Sequence, residues 1–117
     1  MNDNDCLFCK IVAGEIPSKR VRETQRVLAF RDINPKTPTH VLVIPKDHYA
    51  DVADLVHADP ELAAETLAVA AAVADDEGVT GSGWRLLANS GPDAGQEVFH
   101  MHLHVFGGKP LGPMISA

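Results

Sequence analysis

His100, His102 and His104 occupy alternate positions of the segment FHMHLHVFGG, Phe99 to Gly108, with Met101, Leu103 and Val105 between them. Along an extended strand successive side chains point to opposite faces, so the imidazoles share one side and the apolar side chains the other, the side expected to face a core. With a rise of roughly 3.3 Å per residue, the outer two α-carbons lie about 13 Å apart, too far for all three rings to ligate one metal ion easily. The three must divide their work. A neutral imidazole, which ordinarily titrates at about pH 6.5, can attack an electrophile at pH 7 without a separate base, and phosphorus is a natural target. Its neighbours can then hydrogen-bond the phosphate oxygens. Directly upstream, GPDAGQEV offers Gly91 and Gly95, whose missing side chains let backbone N–H groups approach an anion. A polar strand face that happens to carry histidine is the competing reading, but it suits a lone ring better than three in strict alternation. These residues point to a phosphate pocket with neither a P-loop nor a basic patch.

The chain has two cysteines, Cys6 and Cys9, in a CxxC too closely spaced to staple a fold. A metal or redox role is the chemistry open to them, and a redox role is disfavoured because the motif does not follow a strand of a βαβ unit.

The elements that must position these groups can be read from caps, breakers and periodicity. Asp5 is placed to cap a helix over Cys6 to Ala13, with Gly14 as its stop. KRVRE and RVLAFRD read as an antiparallel strand pair joined at Thr24 and Gln25, and DINPKTPT, punctuated by Pro35 and Pro38, as loop. HVLVIPK reads as a buried strand headed by His40, ended by Pro45 and followed by His48. DPELAAETLAVAAAVADDEG carries the strongest helix signal: Asp59 as cap, Pro60 at the first helical position, and Gly78 as stop. Its Leu62, Thr66, Val69 and Val73 can share a face, and His57 falls just before it as a surface residue. WRLLANS and FHMHLHVFGG complete the set. The expected architecture is α+β: a mainly antiparallel five-stranded sheet with a short N-terminal helix and one long central helix.

At 117 residues and 45% hydrophobic content, the chain suits a single domain spanning residues 1–117. Its net charge of -6 argues against nucleic acid and anionic membranes as partners. The longest apolar stretch, LAVAAAVA, is too short to span a bilayer, and MNDNDCLFCK is unlike a signal peptide, so a cytoplasmic location is expected.

The run from His100 to Phe106 matches the histidine-triad pattern His-φ-His-φ-His-φ-φ, with φ apolar. CLFCKIVAGEIPS, LAFRDINPKTPTHVLVIPKDH and NSGPDAGQEVFHMHLHVFGGKPLGPM fall in the order that family has them. The chain thus resembles the histidine-triad (HIT) superfamily. Its short length and GGKPLGPM ending are similar to the Hint branch of small dimeric nucleoside phosphoramidases. That resemblance implies a HIT-like fold, a homodimer, a purine nucleotide ligand and hydrolysis of purine nucleoside phosphoramidates or acyl adenylates to AMP through a nucleotidyl-histidine. By the same resemblance His102 is the nucleophile, and His104 and His40 lie near the phosphate and leaving group. Asn89, Gly95, Gln96 and the backbone around Glu97 match the phosphate-binding positions, Glu97 standing where some relatives carry Ser. Asp32 matches the acid that accepts from both ribose hydroxyls, and Phe8, Phe30 and Ile33 match the slot for the purine. A carboxylate does suit a diol, and an aromatic and aliphatic slot suits a base.

Cys6, Cys9, His48 and His100 match the positions at which many bacterial members carry zinc, and two thiolates with two imidazoles are the set structural zinc prefers. A pair of buried thiols with His48 on the surface is the alternative reading of those residues. No metal is implied in catalysis. Three rival functions remain at this point: a dinucleoside polyphosphate hydrolase, a nucleotide-binding regulator with incidental turnover, and a zinc-storage module. The intact triad together with Asp32 favours the phosphoramidase.

Overall fold

The computed structural model describes residues 5–115, so residues 1–4 and 116–117 of the expected domain lie outside the described residues. Helix α1 (Leu7–Val12) opens the fold. Its cap is not Asp5 but Cys6, whose extended backbone aims Sγ at the Cys9 N–H, 3.2 Å away. A sulfur in that position takes the place a carboxylate would have filled. Gly14, at φ +80°, ends the helix as expected, since the left-handed conformation there carries no side-chain penalty.

Strands β1 (Arg20–Glu23) and β2 (Val27–Arg31) form a hairpin in which Thr24 Oγ1 accepts from the Val27 N–H at 3.0 Å. Strand β3 (Thr39–Pro45), seven residues all buried, follows the proline-punctuated loop. After two helices come β4 (Trp84–Leu87), a single 3-10 turn at Pro92–Ala94, and β5 (Leu103–Gly107). All neighbours are antiparallel in the order β1-β2-β3-β5-β4, so the α+β architecture and five-stranded sheet are those expected.

Two features differ from expectation. The segment before the long helix is itself a helix, α2 (Val52–Ala58), capped by Asp51, which accepts from the Asp54 N–H at 2.9 Å. One buried anchor, Leu55, is too little to give a periodic signal. Asp59 ends α2 and caps α3 (Pro60–Asp76), accepting from the Leu62 N–H at 3.0 Å, and His57 sits exposed in the last turn of α2.

The fifth strand is also shorter than FHMHLHVFGG. Its ladder begins with Val43 opposite Leu103. Continuing that register would set Pro45 against Met101, but proline has no N–H to give. The Met101 N–H instead donates to Tyr49 O at 2.6 Å. His100 and His102 therefore lie in extended chain leading into β5, and the two-faced alternation persists through it.

One face of the sheet, with Val27, Ala29, Val41, Val43, Met101, Leu103 and Val105, packs under α2 and α3 through Leu55, Leu62, Val69, Ala70 and Val73. The predicted buried face of α3 is the face that carries these contacts. On the opposite face Leu28, Phe30, Leu42 and Ile44 pack against Cys6, Phe8 and Ile11 of the α1 segment. At six residues, α1 covers part of that face, and His40, His102 and His104 line the hollow that is left.

Candidate active site

Strand register assembles the site. His104 on β5 stands opposite Leu42 on β3, and His40 opposite Phe106, so side chains from two neighbouring strands meet on the face that α1 leaves open. They line a hollow of about 320 Å³ together with Phe8, Asp32, Asn34, Lys36, Asn89, Gly95, Glu97, Val98 and His102.

The proton positions in this hollow follow from its fixed partners. His102 Nδ1 lies 2.8 Å from the carbonyl oxygen of His100. A carbonyl only accepts, so Nδ1 carries the ring proton and Nε2 keeps its lone pair. The Lys36 N–H donates to His40 Nδ1 at 3.1 Å, which places the His40 proton on Nε2. That N–H faces His104 Nδ1 at 3.1 Å, with Asp32 Oδ2 3.5 Å away on its other side. His104 must then be protonated on Nε2, which is buried and has no acceptor among the described residues. Of the three unprotonated ring nitrogens, those of His40 and His104 already accept hydrogen bonds, so the lone pair open to chemistry is on His102 Nε2, and one N–H donor is held in reserve on His104.

All three rings are held uncharged. Burial lowers the pKa of His102 against the opposing pull of the His100 carbonyl and Asp32. It lowers that of His40 despite Asp32. His104 is pushed down to about 4, first by burial and then by the charges its neighbours His102 and His40 would carry. Desolvation disfavours each imidazolium, and three rings in contact cannot share that charge cheaply. The Phe8 ring meets His102 edge-on at 5.0 Å, and Phe106 stacks on His104 at 5.5 Å.

The sequence-predicted residues divide by location. His40, His102, His104, Phe8, Asp32, Asn89, Gly95 and Glu97 converge on the hollow. Ile33, 89% exposed, instead lines a neighbouring hollow of about 620 Å³ that shares Asp32 and His40. Phe30 is buried behind Phe8, 5.5 Å from it edge-on, and lines neither. Gln96 does not line the hollow. Its Oε1 accepts from the Gly91 N–H at 2.8 Å and its Nε2 donates to Ala50 O and Val98 O, which braces the glycine loop from behind. Gly91 and Gly95 both have positive φ, the conformation that loop needs.

Sequence reasoning missed Lys36, Asn34 and Phe106. Phe106 was detectable, because it shares the parity of the triad. Lys36 acts on His40 through its backbone N–H, and no side-chain pattern carries that signal. The Asn34 N–H donates to Asp32 Oδ1 at 2.8 Å, so Asp32 shapes its turn while Oδ2 faces the histidines.

A second group lies beneath α1. Cys6, Cys9, His48 and His100 each offer one ligand atom, all within 4.8 Å of one another. Cys6 Sγ is 3.3 Å and Cys9 Sγ 3.5 Å from His100 Nδ1, and Cys9 Sγ is 3.4 Å from His48 Nδ1. A tetrahedral zinc with bonds of about 2.3 Å to sulfur and about 2.0 Å to nitrogen sets S···N edges near 3.5 Å. The protonation fits as well. His100 Nε2 donates to Pro45 O at 2.7 Å, which leaves the Nδ1 lone pair toward the sulfurs. Asp32, His40 and His104 are equally close-set, but the Lys36 N–H keeps a proton on His40 Nε2, the atom an ion there would need. The two groups are chemically distinct: one could hold a metal ion, the other handles protons.

Comparisons with known proteins agree with this geometry. The chain is 42% identical over 112 residues to the purine nucleoside phosphoramidase of Escherichia coli (strain K12), covering 96% of this chain and 94% of that protein. It is also 42% identical over 113 residues to a 14 kDa zinc-binding protein of Zea mays, covering 95% and 88%. Among solved structures, a HIT family hydrolase from Clostridium thermocellum superposes with a TM-score of 0.90 at 44% identity, covering 96% and 97%. With the profile described as HIT domain matching residues 13–111, across both the proline-rich loop and the three histidines, the chain belongs to the HIT family.

Proposed function

We propose that the chain is a hydrolase of purine nucleoside phosphoramidates, or of the related acyl adenylates, with His102 as nucleophile. The observation that carries this reading is the His102 Nδ1–H bond to the His100 carbonyl at 2.8 Å, which leaves Nε2 unprotonated at the hollow. In the first step Nε2 attacks the α-phosphorus, the P–N bond breaks, and the amine departs with a proton from solvent. In the second step water attacks phosphorus and releases AMP and neutral His102. His104 Nε2–H donates to a phosphoryl oxygen, and Gly95, which lines the same hollow, brings backbone close to it. Asp32 accepts from the ribose hydroxyls, and the purine lies in the adjoining space by Ile33. The E. coli relative, a purine nucleoside phosphoramidase, supports the same chemistry.

Zinc held by Cys6, Cys9, His48 and His100 completes the reading, supported by the close approach of their four ligand atoms and by the zinc-binding maize relative. It ties α1 to the chain entering β5 and takes no part in the attack. The protein acts as one domain in a cytoplasmic homodimer, with no nucleic acid or membrane partner. Leu67 on α3 and Leu86 on β4, 50% and 37% exposed, give a partner copy apolar surface to cover. No helix among the described residues is long and apolar enough to cross a membrane.

The test is intact-mass spectrometry of protein quenched during turnover of adenosine phosphoramidate, with AMP release followed in parallel. A transient adduct of one adenylyl group, absent in His102→Ala, is expected. Nucleotide binding with neither adduct nor AMP would remove the reading.

A further inference from the structure

In a chain of net charge -6, a hollow with cations and no carboxylate is unexpected. Arg20, Arg22, Arg26, Arg31 and Lys46 each stand within ion-pair distance of an acidic side chain. Lys36, Arg85 and Lys109 have no such partner among the described residues, and all three line one hollow of about 380 Å³ beside the candidate active site. Leu87, Phe106 and Leu111 supply apolar wall, and no acidic residue lines it. Like charges gathered in this way repel one another, and a cleft lined by one sign of charge concentrates ligands of the other.

Sheet register fixes where this hollow lies. Arg85 on β4 stands opposite Phe106 on β5, and Phe106 opposite His40 on β3, so Arg85 is on the face that carries the histidines. Its Nη2 donates to Gly112 O at 2.6 Å, which holds the guanidinium in place and leaves its other N–H groups without an acceptor among the described residues. Lys36 and Phe106 line both this hollow and the active-site hollow, as Asp32 and His40 line both the active-site hollow and the space by Ile33. The outer two share no residue, so the active-site hollow lies between them.

In-line displacement at phosphorus puts the departing group opposite the nucleophile. His102, His104 and Phe106 follow one another on the same face, their rings 5.0 Å and 5.5 Å apart. With His102 attacking and His104 at the phosphoryl oxygens, the amine departs toward Phe106 and so toward the basic hollow. We propose that this hollow is the leaving-group site, and that Lys36, Arg85 and Lys109 select phosphoramidates whose leaving amine carries an anionic substituent, a carboxylate or a phosphate. The inference rests on the phosphoramidase reading above for the direction of departure and deepens it by naming the class of leaving group. Arg85 offers the planar fork of donors that matches either oxyanion, and the lysines add charge. The apolar wall takes the carbon skeleton. An amine that carries a second positive charge is disfavoured by the same three cations.

The experiment gives the full chain the adenosine phosphoramidates of alanine, of the similarly shaped alanine amide and of phosphoethanolamine, and measures kcat/KM for each. Both anionic substrates are expected to be preferred over the amide on the order of tenfold, and the preference to shrink as salt is raised. The order of the two anionic substrates tells carboxylate from phosphate recognition. Because the quantity read is a ratio between substrates, a general loss of activity in a variant cancels. Arg85→Gln and, independently, substitution of the exposed Lys109 as Lys109→Gln are each expected to shrink that ratio severalfold. Equal kcat/KM for all three substrates, or a preference that survives both substitutions unchanged, would overturn the inference and leave the phosphoramidase reading standing. If no substrate is turned over, that reading falls, and calorimetric titration of the same three compounds decides the inference by whether the anionic pair binds more tightly than the amide.

Discussion

Acidification offers a sharp test of the uncharged histidine cluster. His104 is held down to about 4 by burial and by the neighbouring His102 and His40, with Asp32 the only opposing influence. An unfolded chain binds that proton near pH 6.5, so the unfolded state protonates first. Because the folded value is the lower one, stability is unaffected above pH 6.5 and is lost as pH falls from there toward 4. At pH 4.5 the difference corresponds to about 2.5 kcal/mol, reduced to about 1–2 kcal/mol for the ring's partial exposure. Urea unfolding of the wild type and of His104→Gln at pH 7 and pH 4.5 reads this contribution as the difference between the two proteins' losses. The wild type is expected to lose about 1–2 kcal/mol more than the variant over that interval. Equal losses would show that His104 is not desolvated, and the argument that the rings of His40, His102 and His104 are uncharged would go with it.

Gly108 has φ +92°, and a Cβ there would lie 2.9 Å from the Cβ of Pro38. Left-handed strain of about 1–2 kcal/mol and overpacking of about 1–3 kcal/mol predict a marked loss of stability for Gly108→Ala in a denaturant titration. Since Pro38 is two residues from His40, AMP affinity by calorimetry is expected to fall as well. Asp32→Asn keeps the turn but removes the anionic acceptor. It is expected to raise KM about tenfold for a ribonucleotide substrate and much less for its 2′-deoxy counterpart, a charge-assisted hydrogen bond being worth roughly 1.5–3 kcal/mol. An equal effect on both sugars would refute the ribose contact.

The sheet and α3 were legible because each depends on local signals: alternation through His100 to Val105, Asp59 and Pro60 at a helix start, and Pro35 and Pro38 where no element can run. The convergence of His40 and Asp32 on the triad came from resemblance, and register then gave it a cause. What could not be read were features created by partners distant in sequence. The face of β5 that carries the histidines reads as an outer face, yet His100 is fully buried because α1 folds over it. The start of β5 is set by Pro45 on another strand, and the tautomer of His40 by a loop amide. Gln96 looks like a ligand contact in a glycine loop, but its amide completes the hydrogen bonds of three backbone groups instead.

The strand order β1-β2-β3-β5-β4 has a consequence for how the protein comes into being. Strand β5, the last strand of the described residues, inserts between β3 and β4, and among those residues β4 pairs with no other strand. Until it arrives the meander of β1, β2 and β3 can form from sequence neighbours, but β4 has no edge to join. Closing the loop from β3 to β5 is the step with the largest entropic cost, so sheet completion is expected to come late in folding. The residues that arrive with it are the histidines. A partly folded chain therefore has no assembled nucleophile, and the chemistry of the pocket switches on together with the final cooperative step.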